Sequence, residues 1–593
     1  MRLHSASLLA SLLLAAPLLS VLVLIACTVD PALAQPSAAP APADPPDAVY
    51  YHGRILTGEG LGEGHFRFVT ALVLSRGQIV AATSDDAALK LAGSATRKIN
   101  LAGAFVMPGF NDAHVHLAEA GRIKLAVNLT GTTSLDDMKE RVRLAAMATP
   151  PGQWLVGGGW DQTLWPAKVL PARSDLDAVT QGHPAIFTRV DSHIAVANSA
   201  ALAAAGISRN TGNPSGGSID RDPHGEPTGI LREEPAMKLV WDHAPKPTEA
   251  QRRRGLELAM ADAVIHGVTS AQDNSDWEDF LVMETMEQEG KLPLRVTEWL
   301  PFDAPLDQLK QQQAAHPADD PMLHTGMLKG YLDGSLGSRT AAMLEPYTDD
   351  PANSGLLRYD QATLNMMTTE RAQAGFQIGF HAIGDRATEM ALRAFAAAEA
   401  SAKKAPQPNA SLWQSTRNRI EHAQVVNPAD ISRFRSLHVI ASMQPNHLLT
   451  DMRWAEARLG PAHAKHAYAW KAFLNAGVPL AFGTDYPIEP VTPFRGVYAA
   501  VTRKDEAGKQ SFYPENVLSL AQALYACTQG SAYAEHSEQW KGKLTPGYAA
   551  DFIVLDRDLT AIPPAEILKT KVLRTIVGGN QVATGGIRIA GSK

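Results

Sequence analysis

Cysteine is nearly absent: 593 residues hold two, Cys27 and Cys527. A chain this poor in thiols has no disulfide framework, so its stability must come from a packed core. Cys527 lies in the apolar pattern LAQALYACTQGSA and reads as a small buried hydrophobe, not a nucleophile. Charge is sparse too, at 19% of residues, with 54 Lys plus Arg against 61 Asp plus Glu and a net charge of −7. No long run of like charge breaks this balance. The concentrated basic surface that phosphate backbones need is missing, so nucleic acid is not an expected partner. The Gly-x-Gly-x-x-Gly fingerprint is missing as well, and GGGW at 157–160 does not replace it, so nothing marks a dinucleotide site.

Long apolar runs are also scarce. One exists, from Leu8 to Ala26, preceded by Arg2 and followed by a Pro/Ala-rich stretch to residue 47. This is an export pattern. Ala32-Leu33-Ala34 offers an ordinary cleavage site, giving a signal peptide over 1–34. Leu24-Ile25-Ala26-Cys27 offers a lipoprotein signal ending at 26, with a lipidated Cys27 as a membrane tether. The run is also just long enough to stay as an anchor. The expectation is an exported protein, periplasmic or extracellular, with a disordered linker over 35–47 and no twin-arginine pair near its start.

What remains is long enough for more than one domain. Residues 48–106 read as short strands punctuated by Gly and Asp, and residues 541–593 contain a second β-rich piece. Two such pieces at opposite ends can pair into one small β-sandwich around a middle domain over 107–540. In that middle, apolar strand-like runs alternate with helical patterns such as 134–148 and 386–404. Eight runs can be counted: the one entering MPGFNDAHVHL (107–117), then 267–273, 294–300, 326–333, 376–382, 419–424, 438–445 and 478–487. The implied fold class is α/β, a (β/α)8 TIM barrel, with residues 152–240 as an inserted subdomain after the first barrel strand.

Several runs end in ionisable groups: His114 and His116, Lys329, His381, His422 and Asp485. A barrel gathers the C-terminal ends of its strands on one rim, where active sites sit. Imidazole and carboxylate suit zinc, and so many such groups on one rim would repel or stay unsatisfied without a cation. Singly each residue has a plainer use. Lys329 could pair with Asp333, Asp485 could cap its turn, and a lone histidine is usually core or surface. His463 and His466 sit on a polar segment and read as solvated.

In this order the motifs PGFNDAHVH, KGYLDGSLGSRTA, GFHAIGDRA, RIEHAQ, FGTDYP and GKLTPGYAADFIVL resemble the amidohydrolase superfamily, in particular its N-substituted formamide deformylase-like, YtcJ-like branch. The resemblance runs from about residue 48 to the end and includes GGGWDQTLWP and RVDSHIAVANSAAL. It implies one or two divalent metals, zinc by chemistry. His114 and His116 would hold the first. A CO2-carboxylated Lys329 would bridge both, and His381 and His422 would hold the second. Asp485 would bind the first metal and shuttle a proton, and His381 would assist in polarising a carbonyl. Substrate contacts are expected from Trp160, Asp161 and His193 in the insertion, each with a plainer role as core or loop residue. Arg339 either binds an anionic or carbonyl group or neutralises Glu345 or another local acid.

The expected activity is hydrolysis of a non-peptide carbon–nitrogen bond in a small molecule, an amide, N-formyl group or cyclic amide. Deamination, carbon–oxygen hydrolysis and isomerisation on the same barrel are the alternatives, and a non-catalytic binder would need a broken ligand set. A homodimer is left open.

Overall fold

A computed structural model describes residues 45–189, 193–214, 216–317, 319–404, 415–585 and 587–588. The apolar N-terminal run, both cleavage patterns, Cys27 and most of the 35–47 linker lie outside the described residues. Among the described residues no helix is long and apolar enough to cross a membrane.

Eight parallel strands form the central sheet: Phe110–Val115, Val268–Asp273, Arg295–Pro301, Leu323–Tyr331, Ile378–Ala382, Arg419–His422, Ile440–Met443 and Leu480–Phe482. They are the eight runs read from the sequence, each paired with the next. A parallel bridge between Val115 and Tyr486 brings the last strand back to the first. Most of these strands are buried throughout, which is why they read as continuous apolar runs instead of alternating ones. The seam between first and last strand is tight. A Cβ on Gly483 would sit 2.5 Å from the His114 amide nitrogen, so only glycine fits there.

The helices between strands follow their apolar stripes. Asp385–Lys404 buries Ala387, Ala391, Ala394, Phe395 and Ala398, spaced for one face. Glu249–Ile265 starts on a Thr248/Gln251 capping box. It crosses the helix Leu117–Leu125 so closely that a Cβ on Gly121 would meet the Gly255 carbonyl carbon at 2.3 Å.

Two further sheets draw on the chain ends. One joins Ala48–Tyr51, Ala71–Ser75, Gln78–Thr83 and Arg97–Asn100. In the other, Phe552–Leu555 pairs antiparallel with Phe105–Pro108, so the two ends of the domain meet strand to strand. Tyr50, Leu72 and Leu74 of the first sheet share a core with Val106, Phe552 and Ile576 of the second.

A six-stranded sheet stands between the first and second barrel strands. It begins at Val127–Asn128, earlier than the 152–240 boundary read from the sequence, and ends with Pro227–Arg232. The helix expected over 134–148 exists as Leu135–Ala148. It is not a barrel helix, because Met138, Val142 and Ala146 pack on Leu129, Leu155 and Leu176 in the core of this inserted sheet.

Candidate metal centre

The first strand delivers His114 in its last turn of pleat, and His116 stands at the N-cap of the helix that follows. Across the seam, the Asp485 N–H donates to the His114 carbonyl at 2.8 Å and the His116 N–H donates to the Tyr486 carbonyl at 2.7 Å. Asp112 fixes the seam further by accepting from the Thr484 N–H at 2.8 Å and the Thr484 hydroxyl at 2.6 Å. His116 Nε2 then lies 3.1 Å from Asp485 Oδ1, with His114 Nε2 3.6 Å from the same oxygen. Asp485 (φ 58°) and His422 (φ 72°) both occupy the left-handed region that such residues adopt rarely. Backbone strain of this kind persists where the surrounding structure demands it, as at functional sites.

The remaining strands bring the other groups in. Lys329 Nζ is 3.0 Å from His114 Nε2 and is buried. The rings of His114 and His422 are 4.9 Å apart, and those of His422 and His381 4.5 Å. Lys329 does not pair with Asp333, whose carboxylate instead accepts the backbone N–H groups of Ala342, Ile383 and Gly384. His114 Nδ1 donates to Glu421 at 2.8 Å, and Arg419 Nε holds the other Glu421 oxygen at 2.7 Å. His381 Nε2 donates to the Gly334 carbonyl at 3.2 Å. In both histidines the second nitrogen is left as an acceptor, the arrangement by which outer partners orient metal-binding imidazoles.

Electrostatics agree with that use. Burial, and then the Lys329 charge, hold His114 well below the usual imidazole range; the same causes bring His381 to about 3. Burial and His381 do the same to His422. Burial opposes ionisation of Asp485, yet His114, His116 and His447 outweigh it and keep the carboxyl well below its usual range. Burial lowers Lys329 to about 8 against the pull of Glu421 and Asp485. Neutral imidazoles at His114, His381 and His422, an ionised Asp485 and an easily deprotonated Lys329 are the states in which such groups bind cations. At His447 burial is outweighed by the Asp485 carboxylate, which raises the imidazole instead.

The donors fit a divalent ion. Ligand atoms of His114, His116 and Asp485 lie within 4.8 Å of one another, and so do those of His422, His447 and Asp485. His422 Nδ1 is buried with no hydrogen-bond partner, a cost that coordination removes. Nitrogen and carboxylate donors of this kind suit zinc.

His447 was missed in the sequence. It follows the seventh strand, on the short helix His447–Asp451, and its Nε2 lies 3.2 Å from Asp485 Oδ2. Its signal was a histidine just past the apolar run HVIASMQP, the same signal that marked His381 and His422. Asn274 and Tyr331 were also missed. Asn274 Nδ2 donates to the Tyr331 hydroxyl at 2.6 Å and faces His116 Nδ1 at 3.3 Å.

The four residues expected to contact substrate have other partners. Trp160 is fully buried, donates its indole N–H to the Phe187 carbonyl at 2.9 Å and packs with Trp165. It is core of the inserted sheet, which corrects its pocket-lining role. Asp161 caps the turn Gln162–Leu164 and pairs with Arg189 at 3.0 Å. His193 Nδ1 is 2.9 Å from Glu233 with its side chain largely exposed. Arg339 neutralises Asp349, not Glu345, at 2.7 Å.

Known proteins are similar to this chain. Residues 97–583 match the model of the amidohydrolase family. The protein YtcJ of Bacillus subtilis (strain 168), which carries an amidohydrolase name, is 34% identical over 82% of this chain and 90% of its own. The N-substituted formamide deformylase of Arthrobacter pascens is 26% identical over 86% of this chain and 94% of its own. A crystal structure of an uncharacterized metal-dependent hydrolase from Pyrococcus furiosus superimposes with a TM-score of 0.72 at 31% identity, covering 86% of this chain and 99% of that one. With barrel, donor set and relatives in agreement, the chain belongs to the amidohydrolase family and is a hydrolase of carbon–nitrogen bonds other than peptide bonds.

Proposed function

We propose that the protein is an exported, zinc-dependent hydrolase of small amides, with N-formyl amines and cyclic amides as the leading substrate classes. The observation that carries this reading is the convergence of His114, His116 and Asp485 within 4.8 Å, on strands at opposite ends of the barrel sequence. His114, His116 and Asp485 would hold one ion, and His381 and His422 a second, with His447 beside it. Lys329 would bridge them as a carbamate. Its neutral amine adds to CO2, forming an Nζ–C bond and releasing a proton, and burial favours the neutral amine.

When bound, the metal lowers the pKa of water from about 15.7 toward 7 and polarises the scissile carbonyl. Asp485, fixed on both oxygens by His116 and His447, accepts the proton from the attacking water. It then returns that proton to the leaving nitrogen, so one carboxylate acts as base and afterwards as acid. His381 would assist polarisation of the carbonyl through the second ion that it helps to hold. The N-formyl preference leans on the name of the Arthrobacter pascens relative.

Export rests on Arg2 and the apolar run Leu8–Ala26, with cleavage after Ala34 or lipidation of Cys27. The sheets built from the chain ends are read as a small β-sandwich, and the six-stranded piece as an inserted subdomain. The test is product analysis of the zinc-loaded mature enzyme on a panel of N-formyl amines, linear amides, cyclic amides, aminated heterocycles and esters. Release of amine and carboxylate from the first three supports the reading. Turnover confined to ammonia or alcohol release favours the deaminase or carbon–oxygen alternative.

A further inference from the structure

The fourth barrel strand is followed by a long connection, residues 332–360, that folds back on the rim. Four arginines lie on or beside it, and three are engaged. Arg339 makes two contacts with Asp349, at 3.0 and 2.7 Å. Arg458 donates to the carbonyls of Leu336 and Gly337, and Arg386 to those of Ser354 and Gly355.

Arg358 is different. Its backbone N–H donates to the Leu332 carbonyl at 2.9 Å, and the Leu332 N–H donates to the His381 carbonyl at 3.0 Å. The main chain therefore ties it to the strand end that carries His381. Its guanidinium is exposed and, among the described residues, has neither an ion pair nor a side-chain hydrogen bond. It lies over the Tyr331 ring, with Cζ 5.5 Å from the centroid. That same ring has Lys329 Nζ at 5.1 Å and the His381 ring at 5.4 Å. Asp333 feels the Arg358 charge but already accepts three backbone N–H groups, so it does not answer that cation.

A solvated arginine ordinarily means little. This one is held by main chain and ring face, which lowers the ordering cost of binding, and its planar fork suits a carboxylate in two-point contact. We propose that Arg358 is the subsite for a carboxylate borne by the substrate, so that the preferred substrates are acidic amides, with the acid group a few bonds from the scissile carbon–nitrogen bond. The inference rests on the hydrolytic reading of the rim and names the substrate class for it.

The test compares N-formyl-β-alanine with N-formyl-3-methylbutylamine, alike in shape and heavy atoms and different in charge. The wild-type zinc enzyme prefers the acid by about tenfold or more in kcat/KM. Arg358→Gln brings that ratio toward one, chiefly through KM for the acid, and Arg358→Lys keeps part of it. A ratio unchanged in Arg358→Gln, or equal loss on both compounds as a mere support of Tyr331 would give, overturns the proposal. Calorimetry with N-acetyl-β-alanine on metal-free protein is the readout that needs no turnover. Binding weakened about tenfold in Arg358→Gln supports the subsite, and equal binding in both proteins refutes it. A wild-type enzyme that hydrolyses neither these compounds nor any amide of the panel sinks the hydrolytic reading, while the calorimetry still decides on Arg358.

Discussion

His116 and Asp485, 369 residues apart, meet with Nε2 3.1 Å from Oδ1 at the seam where the last barrel strand returns to the first. The main-chain bonds that close the seam belong to His114, His116, Asp485 and Tyr486 themselves. Closing the barrel and bringing together His114, His116 and Asp485, the candidate ligands of one ion, are thus one structural event.

Asp485 separates binding from turnover most cleanly. Asp485→Asn keeps an oxygen donor and much of the packing but loses the proton acceptor. Bound zinc, measured by elemental analysis, is expected to persist at least in part while kcat falls about 10²- to 10⁴-fold. A near wild-type rate would mean that another group moves the proton.

Glu421 meets His114 Nδ1 at 2.8 Å and would act on an ion held by His114 only through that ring. Glu421→Gln keeps the shape and weakens the charge-assisted hydrogen bond. Zinc affinity, measured by competition with a chelating dye, is expected to drop about 10- to 100-fold. Unchanged affinity would place His114 outside the ligand set.

Lys329→Ala removes the amine on which the carbamate would form. The variant is expected to be inactive, and a short-chain carboxylic acid, supplying two oxygens in the vacated space, should restore part of the rate. Normal metal content with no rescue by any such acid would count against a bridging carbamate.

Gly121 tests the packing of the helix that His116 caps. A Cβ there would meet the Gly255 backbone at 2.3 Å, between the helices Leu117–Leu125 and Glu249–Ile265. Gly121→Ala is expected to destabilise the fold by about 1–3 kcal/mol in denaturant titration. A larger loss of zinc affinity than of stability would tie this contact to the His116 cap.

Away from the rim, Glu287 carries a pH prediction. Burial, and then the neighbouring Asp320 carboxylate, push it up to about 7. The folded state therefore holds a proton that the unfolded state has given up, and stability declines as pH rises from the ordinary glutamate range through 7. Glu287→Gln should leave the thermal midpoint little changed near pH 5 and raise it at pH 8. An equal shift at both values would mean that ionisation of Glu287 is not the cause.

Much of this was legible in the sequence because it is written as hydrophobic runs ending in ionisable groups. The eight barrel strands were found that way, and the six expected rim residues were named from the ends of those runs, the joint pattern weighing more than the paired histidines of AHVH alone. His447 follows an apolar run as His381 and His422 do, but it escaped because it stands on a short helix beyond its strand and not at the strand end itself. The helix Leu135–Ala148 was found but given to the barrel, since an apolar stripe shows that a face is buried and not what it is buried against. Trp160 fits a pocket wall or a core equally well by composition. Only the Phe187 carbonyl that takes its indole proton decides between them. Arg339 and Arg358 are alike in sequence, and the placement of Asp349 is what separates them.

The most direct test of the account is removal and return of the metal. The purified enzyme is stripped with a chelator, assayed on an N-formyl amine, reloaded with zinc or manganese and assayed again. The account predicts that hydrolysis disappears with the ion and returns with it. Full turnover by the stripped protein would contradict it.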